Sequence, residues 1–415
     1  MPQQPIKFIH FGDLHLGMEN YGHFDPQTGL NSRLGDFLKS FEAIVRTAKK
    51  EKVDLVLFAG DAFKTREPSP TYQRAFAQKI YEFIAAGIPV VFLVGNHDFP
   101  GALGKAHTLE IYPTLFIPKI FVLAQDEIKI IPTKKGPIQV AGLPWYSRQQ
   151  LLLKDDLRLP IEKINLKVTE SLEAKIKQLS KNIDPKMPAI LLAHATVSGA
   201  TYGSERSVMI GSDVVIPIEV FKKSPFNYIG LGHLHKHQVL QDNPPIIYSG
   251  SIERIDFGEE KEDKGFILGK IIFDKQNKHK TNWQFIKTPA RKFITIKANI
   301  SSDEKDPTKK VLDKIDKENI TDAVVKIIIE SSLEKSAEIS ENRIRNKLVQ
   351  ANFIAGIIKE INVHERKQIH PGFSDELASL DPLGLLEKYL IVKKINKSHQ
   401  HELVTSAQKL IEENL

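Results

Sequence analysis

The first 290 residues alternate between short apolar stretches and longer stretches with apolar residues at helical spacing. Continuous apolar runs such as VDLVLFAGD and IPVVFLVGNHD indicate strands that are buried on both faces. The helix-like stretch SPTYQRAFAQKIYEFIAAG has Ser69 in the N-cap position, Pro70 in its first turn and Gly87 at its end. Strands that alternate with helices predict an α/β fold in which helices cover the sheets.

The character of the sequence changes after residue 290. The stretches KFITIKANI, PTKKVLDKIDKEN and AVVKIIIES have the pattern of a compact strand–helix–strand unit. From about residue 338 the pattern is that of amphipathic helices, interrupted by Pro371 and Gly372. We therefore predict three parts, which are residues 1–290, 291–337 and 338–415.

The chain has no cysteine, which excludes disulfide bonds and thiolate metal ligands. No apolar run approaches the ~20 residues of a membrane helix, and the N-terminal sequence enters a strand without the pattern of a signal peptide. These features predict a protein of the cytoplasm with no membrane association. The net charge of +7 is compatible with a phosphate-rich partner, although many housekeeping enzymes are equally basic.

Polar side chains that suit metal binding follow five of the predicted strands. They occur in the motifs GDLHLG, AGD, GNHD, LLAHAT and GLGHLHKHQ, often behind a glycine that allows a sharp turn. Because the carboxyl ends of strands form the binding site in open α/β sheets, these side chains should converge if the strands share a sheet. The set consists of Asp13, His15, Asp61, Asn96, His97, His194, His233 and His235.

Carboxylates, an amide oxygen and several imidazoles, without a thiolate, match Mn²⁺, Fe²⁺ or Zn²⁺ better than Ca²⁺ or Mg²⁺. A carboxylate such as that of Asp61 can bridge two ions about 3.5–4 Å apart, a spacing used for phosphoester hydrolysis. A single histidine is usually an ordinary core or surface residue, and GNHD by itself is a weak signal. Five such clusters at strand ends are difficult to produce by chance, so the sequence favours a two-metal centre.

The order and spacing of these motifs resemble those of the calcineurin-like metallophosphoesterases. The segment YSGSIERIDFGEEKEDKGF (248–266) also resembles one that is typical of the SbcD-type DNA exonuclease subunits of that superfamily, as do PSPTYQRAF and DPLGLLEKYL. The resemblance implies a β-sandwich flanked by helices, a small α/β capping domain over 291–337 and a helical C-terminal region that binds a partner. It is specific over most of the first 290 residues and mainly architectural beyond them.

The resemblance also implies roles for the residues of the site. Two Mn²⁺ ions would be bound, one by Asp13, His15, Asp61 and His235, and the other by Asp61, Asn96, His194 and His233. Fe²⁺, Zn²⁺ or Mg²⁺ are alternative ions. His97 would contact the scissile phosphate and assist departure of the leaving oxygen. Asp98, beside it, is a candidate to orient a histidine.

One position departs from the family pattern. Lys64 lies three residues after Asp61, where many relatives have a histidine that helps to position the phosphate. A lysine still attracts phosphate as a point charge. Arg206, in the glycine-rich stretch VSGATYGSERSVMIGSD, is a second candidate for a phosphate or DNA contact. His23 and Arg33 are either nucleic-acid contacts or parts of an ordinary polar loop.

The function implied by the resemblance is a DNA exonuclease and endonuclease in double-strand-break repair and recombination, acting on double-stranded ends and single strands. The implied assembly is a homodimer within a nucleoid-associated heterotetramer that contains an SMC-like ABC ATPase. The sequence has no G-x-x-x-x-G-K-[ST] loop, so any ATP dependence would come from that partner. Two alternatives are a small-molecule phosphodiesterase or phosphatase, and a non-catalytic scaffold of the same fold.

Overall fold

The computed structural model describes residues 4–99, 105–203, 214–273, 279–361, 382–392 and 395–412. Its strands are β1 (Ile6–Phe11), β2 (Leu55–Phe58), β3 (Val90–Leu93), β4 (Ile120–Leu123), β5 (Glu127–Thr133), β6 (Gly136–Leu143), β7 (Ala189–His194), β8 (Thr196–Val197), β9 (Val215–Ile216), β10 (Tyr228–Gly232), β11 (Gln238–Asp242), β12 (Pro245–Tyr248), β13 (Gly265–Phe273), β14 (His279–Lys287), β15 (Phe293–Asn299), β16 (Val324–Ser331) and β17 (Phe353–Ile361). Its helices are α1 (Ser32–Glu51), α2 (Pro70–Ala85), α3 (Ile111–Thr114), α4 (Arg148–Leu151), α5 (Ile161–Lys181), α6 (Ile218–Lys222), α7 (Pro307–Ile315), α8 (Leu333–Glu338), α9 (Glu341–Lys347), α10 (Pro382–Val392) and α11 (Lys397–Glu412).

Two six-stranded sheets form the larger part of the fold. The first has the strand order β14–β13–β1–β2–β3–β4, and the second has the order β11–β12–β10–β7–β6–β5. The strands β1 to β4 run parallel to one another, as do β6, β7, β10 and β12. The antiparallel pair β13 and β14 extends the first sheet beside β1. Each sheet therefore presents the carboxyl ends of several parallel strands at one edge.

Three apolar clusters hold these layers together. Phe8 of the first sheet and Ile190 of the second belong to a buried cluster that both sheets share. Phe41 of α1 packs on the outer face of the first sheet, whereas Ile176 of α5 packs on the outer face of the second. The resulting layers are helix, sheet, sheet and helix, so the predicted α/β class with a helix-flanked β-sandwich is confirmed.

Local sequence signals lie at the starts of the first two helices. The Asn31 side chain caps α1 by accepting a hydrogen bond from Arg33 N (2.9 Å), and Lys52 ends the helix in the left-handed conformation. Ser69 occupies the N-cap position of α2 in extended backbone, and Pro70 follows at the first helical position, where a missing N–H costs nothing. Local sequence signals therefore set both helix starts.

A third sheet, with the order β15–β16–β17, follows the sandwich. With α7 between β15 and β16, it contains the predicted strand–helix–strand pattern. The prediction of a wholly helical region after residue 338 was wrong at β17, because FIAGIIKEI is extended. A short apolar run rich in isoleucine suits a strand, and periodicity alone does not distinguish it from a helix segment.

The described residues group into two compact units. The first consists of 1–298, 306–329 and 340–358, and the second of 299–305, 330–339 and the part from 359 onwards. The second unit contains α10 and α11, where Ile395 N donates to Leu390 O (3.2 Å). The division at residues 290 and 337 stays a prediction. None of the described helices is long and apolar enough to cross a membrane.

Candidate metal centre

Strands of both sheets end at one cluster of polar side chains. Asp13 follows β1, Asp61 follows β2, and Asn96 follows β3 in the first sheet. In the second sheet His194 is the last residue of β7, and His233 directly follows β10. The cluster forms at this edge because the strands of each sheet run parallel and carry their polar residues just past the apolar segment.

Four of the predicted ligands lie in backbone with positive φ. The angles are 50° at Asp13, 46° at His15, 61° at Asp61 and 98° at His233. Residues other than glycine rarely adopt such angles, and they persist where the surroundings impose them, often at functional sites. The backbone is therefore bent at the positions where the side chains turn into the cluster.

Two glycines allow the strand ends to approach each other closely. Gly60 has φ +99°, and a Cβ atom there would lie 2.5 Å from His194 Nδ1. A Cβ atom at Gly232 would lie 2.2 Å from Ala59 O. Any larger residue at these positions would push the two sheet edges apart, so both glycines are part of how the site is formed.

Asp61 lies at the centre of the cluster. Its Oδ2 atom is 3.6 Å from His15 Nε2 and 3.4 Å from His194 Nε2, while its Oδ1 atom accepts a hydrogen bond from His97 N (2.8 Å). One carboxylate oxygen therefore faces imidazoles from both sheets. This is the position that a bridging ligand would occupy.

The other predicted ligands fall into two groups around Asp61. In one group His15 Nε2 and His235 Nε2 lie 3.1 Å apart, and atoms of His15, His235 and Asp13 lie within 4.8 Å of one another. In the other group Asn96 Oδ1 lies 2.9 Å from His194 Nε2 and 3.0 Å from His233 Nδ1. The eight residues predicted at the strand ends are thus brought together.

The chemistry of these groups fits a cation. The His194 Nδ1–H donates to Ala59 O (2.7 Å), so Nε2 is the ring nitrogen that faces Asn96 Oδ1 and would bind a cation once its proton is lost. Buried Asp13 Oδ2 accepts no hydrogen bond from any described residue. Burial raises the pKa of Asp13 to about 7, although His194 and His235 oppose the rise.

Burial opposes the charged form of His194, but the carboxylate of Asp61 outweighs it and raises the pKa of His194 to about 9. Burial likewise opposes ionisation of Asp61, yet the neighbouring histidines hold its pKa well below the ordinary value. The pocket thus favours positive charge beside Asp61, and a divalent cation could supply that charge in place of the proton on His194.

His97 lies in the same cluster but is held by a different contact. Its Nδ1–H donates to the carbonyl oxygen of Lys64 (2.6 Å), and its ring stands perpendicular to that of His15 with 4.7 Å between centroids. Lys64 therefore contributes through its backbone, whereas its side chain is half-buried. The hydrogen bond fixes the ring orientation and leaves Nε2 for other chemistry.

Asp98 acts differently from the expectation that it would orient a histidine. Its carboxylate accepts hydrogen bonds from the backbone N–H groups of Asp61 (2.8 Å), Ala62 (3.0 Å) and Gly95 (3.0 Å). It also accepts one from Thr108 Oγ1 (3.2 Å). Asp98 thus holds the loops after β2 and β3 together, since the turn places backbone amides, rather than an imidazole, around it.

Glu259 and Lys264 are two residues that the sequence did not single out. Glu259 Oε1 lies 2.9 Å from His235 Nδ1, and Lys264 Nζ lies 2.8 Å from Glu259 Oε2. Both side chains are buried. The sequence feature that could have identified them is their position in the segment 248–266, which resembles the SbcD-type proteins.

The remaining candidates lie apart from the cluster. Arg33 is fully buried and donates to Asp36 Oδ2 (2.6 Å), so it is a core residue and not a nucleic-acid contact. His237 donates to Tyr248 O (2.8 Å) and stacks on Phe285. Arg206 lies outside the described residues.

Comparisons with known proteins identify the family of the chain. The model of the calcineurin-like phosphoesterase family matches residues 6–237. The SbcD subunit of nuclease SbcCD from Staphylococcus epidermidis is 30% identical over 285 residues, which cover 68% of this chain and 69% of that protein. DNA double-strand break repair protein Mre11 of Archaeoglobus fulgidus is 24% identical over 397 residues, which cover 90% of this chain and 80% of that protein. The chain therefore belongs to the calcineurin-like phosphoesterase family, and its predicted resemblance to the SbcD-type members is confirmed.

Proposed function

We propose that this chain is a dinuclear-metal-dependent DNA nuclease that cuts phosphodiesters as exonuclease and endonuclease at DNA ends. The observation that carries the proposal is the cluster around Asp61, where carboxylate, amide and imidazole ligands from both sheets converge beside His97. The names of the relatives support DNA as substrate, since one is a nuclease and the other a DNA double-strand break repair protein.

Two Mn²⁺ ions are the proposed cofactors. One would be held by Asp13, His15, Asp61 and His235, and the other by Asp61, Asn96, His194 and His233. Such ions, when bound, make a water molecule more acidic and offset charge on the phosphate oxygens. Fe²⁺, Zn²⁺ and Mg²⁺ are alternatives, because a given set of imidazole and carboxylate ligands accepts several divalent ions.

His97 is proposed to contact the scissile phosphate and to assist departure of the leaving oxygen. Its Nδ1 proton is engaged with Lys64 O, so Nε2 is the nitrogen that can accept or deliver a proton. The hydrogen bond from its backbone N–H to Asp61 Oδ1 fixes its distance from the ligands. We expect His97→Ala to retain metal binding and to lose turnover by about 10²–10⁴-fold.

Lys64 is proposed to attract DNA phosphate through its side chain. The Lys64→Ala variant keeps the backbone carbonyl that holds His97, so the geometry for chemistry should remain. We therefore expect weaker DNA binding with little change in turnover at saturating DNA. A pure loss of kcat would contradict this role. Arg206 stays a proposed DNA contact.

The proposed partner is an SMC-like ABC ATPase, bound by the C-terminal helices of a homodimer within a heterotetramer. In α10 the apolar side chains of Tyr389 and Ile391 are exposed, which suits a partner surface. The three-stranded sheet β15–β16–β17 would be the core of the capping domain. Truncation before Pro382 spares β17, so it should abolish co-purification with the ATPase while metal-dependent cutting persists. Full co-purification of the truncated chain would contradict the assignment.

The primary experiment incubates the purified chain with end-labelled linear duplex DNA and Mn²⁺, beside an Asp61→Asn control. Degradation that vanishes in the control supports the nuclease. Intact DNA with hydrolysis of a generic small phosphodiester would favour the small-molecule alternative or an obligatory partner. Inactivity on both substrates would favour the non-catalytic scaffold.

A further inference from the structure

Glu259 is a buried carboxylate next to the candidate metal centre, outside the proposed ligand set. Its Oε1 atom accepts a hydrogen bond from His235 Nδ1–H at 2.9 Å. Its Oε2 atom accepts one from Ile255 N at 2.9 Å and contacts Lys264 Nζ at 2.8 Å. The carboxylate is thus held from the side that faces away from His235.

Lys264 holds both Glu259 and the backbone of His235. Its fully buried ammonium group donates to His235 O (3.0 Å) and to Glu262 Oε2 (2.8 Å), in addition to its contact with Glu259. Three donors on one ammonium match these three acceptors. Lys264 therefore anchors both the main chain of His235 and the Glu259 carboxylate that accepts the proton of the His235 ring.

The contact determines which nitrogen of His235 faces the cluster. The buried ammonium group of Lys264 lies 2.8 Å from Glu259 Oε2, and Ile255 N donates to the same oxygen, so the carboxylate is held as a hydrogen-bond acceptor. An ionised carboxylate accepts the Nδ1 proton, so the lone pair of the neutral ring is on Nε2. That Nε2 atom lies 3.1 Å from His15 Nε2, in the group that contains Asp13.

We infer that Glu259, anchored by Lys264, is a positioning residue that fixes the ring of His235 for one of the two metal ions. The inference rests on the proposed function, since it takes the cluster to be a dinuclear metal centre. Carboxylates that accept the second proton of a ligating histidine fix its orientation and increase its basicity, and their loss typically weakens metal binding about 10–100-fold.

The chain offers a matched control in the next residue. Glu260 points to the third sheet, where its carboxylate accepts hydrogen bonds from Thr295 N (2.8 Å) and Thr295 Oγ1 (2.6 Å). Glu260→Gln therefore removes the same charge one residue away without touching His235. A general effect of a lost carboxylate in this segment would affect both variants.

The experiment titrates Mn²⁺ into the chelator-treated full chain by calorimetry, without DNA, and compares wild type, Glu259→Gln and Glu260→Gln. We expect Glu259→Gln to weaken one of two Mn²⁺ sites about 10–100-fold and to leave the other within about twofold. Glu260→Gln should bind both ions like wild type. Selective loss of one site distinguishes positioning from a general structural defect, which would weaken both.

Thermal melting in chelator accompanies each titration. If Glu259→Gln shows no cooperative transition, Glu259→Asp replaces it, since it keeps the charge but shortens the reach to His235 and should weaken the same site. Wild-type affinity in the folded variant, or equal loss at both sites, would overturn the inference. Failure of wild type to bind two ions would instead count against the dinuclear centre itself.

Discussion

Glu253 provides a test of how the buried charges beside the sandwich are balanced. Its side chain is fully buried and lies 3.9 Å from Arg33 Nη2, beyond hydrogen-bond distance. Arg33 is instead engaged by Asp36, whose Oδ2 atom is 2.6 Å from Arg33 Nη1. Burial raises the pKa of Glu253 to about 7, Arg33 opposes this rise and Asp36 adds to it. The acid is therefore largely protonated at pH 5 in the native state.

The change we propose is Glu253→Gln. Glutamine keeps an oxygen for the N–H groups of Arg254 (2.9 Å) and Arg291 (3.0 Å), and its amide can donate to Ser40 Oγ. Between pH 4.5 and 7 the native protein holds a proton that the unfolded chain has lost. Stability of the wild type therefore falls as pH rises through this window, by about 3 kcal/mol in total.

The assay is the melting temperature of both proteins between pH 5 and pH 8 in chelator. Relative to wild type, the melting temperature of the variant should rise by roughly 3–5 °C between pH 5 and pH 8. This value takes roughly 1–2 °C per kcal/mol for a unit of several hundred residues. The control is Glu82→Gln. Hydrogen bonds from Lys49 and Lys79 lower the pKa of Glu82, so Glu82 titrates below pH 5. The difference in melting temperature between Glu82→Gln and wild type should therefore not change between pH 5 and pH 8. A variant that loses stability towards pH 8 would show that Glu253 is an ionised partner of Arg33, and would refute the reasoning.

Three further predictions concern the same fold. Asp36→Asn should destabilise the protein by about 3–5 kcal/mol in denaturant or thermal unfolding, because it leaves buried Arg33 without its main anion. As a control, Glu82→Gln breaks the solvent-accessible ion pair with Lys49 and should cost under about 1 kcal/mol. Gly60→Ala should abolish Mn²⁺ binding by calorimetry, because its Cβ would displace His194, whereas Gly199→Ala, with positive φ but open space, should bind normally. Removing Mn²⁺ present at about 100 times its Kd should lower stability by about 2.7 kcal/mol for each ion lost, and a melting temperature indifferent to chelator would contradict metal binding to the native state.

The strand-end cluster could be predicted from the sequence because its signals are local. Each apolar run and the polar residue behind it lie within about ten residues, and the rule for parallel strands places Asp13 and Asp61 at one edge of the first sheet and His194 at an edge of the second. The packing of the two sheets, which the rule does not supply, brings these edges together. The rule needs no knowledge of the strand order. The eight-residue set was accessible for this reason.

The contacts that surround the cluster could not be predicted from the sequence in the same way. Glu259 reaches His235 across 24 residues, and Arg33 contacts the carbonyl of Arg254 across 221. Such pairs depend on how loops return to the sandwich, which periodicity does not encode. An arginine in a polar loop therefore resembled a nucleic-acid contact until its burial was known, and β17 resembled a helix until its pairing was known.

The left-handed backbone at Asp13, His15, Asp61 and His233 has a consequence for selection. Holding residues with a Cβ atom in such conformations costs roughly 1–2 kcal/mol each relative to glycine, against a net stability of about 5–15 kcal/mol for a typical protein. Selection for stability alone would replace these residues by glycine. The four side chains that turn into the cluster therefore cost folding stability that glycine would preserve, which is the usual trade between stability and activity at an active site.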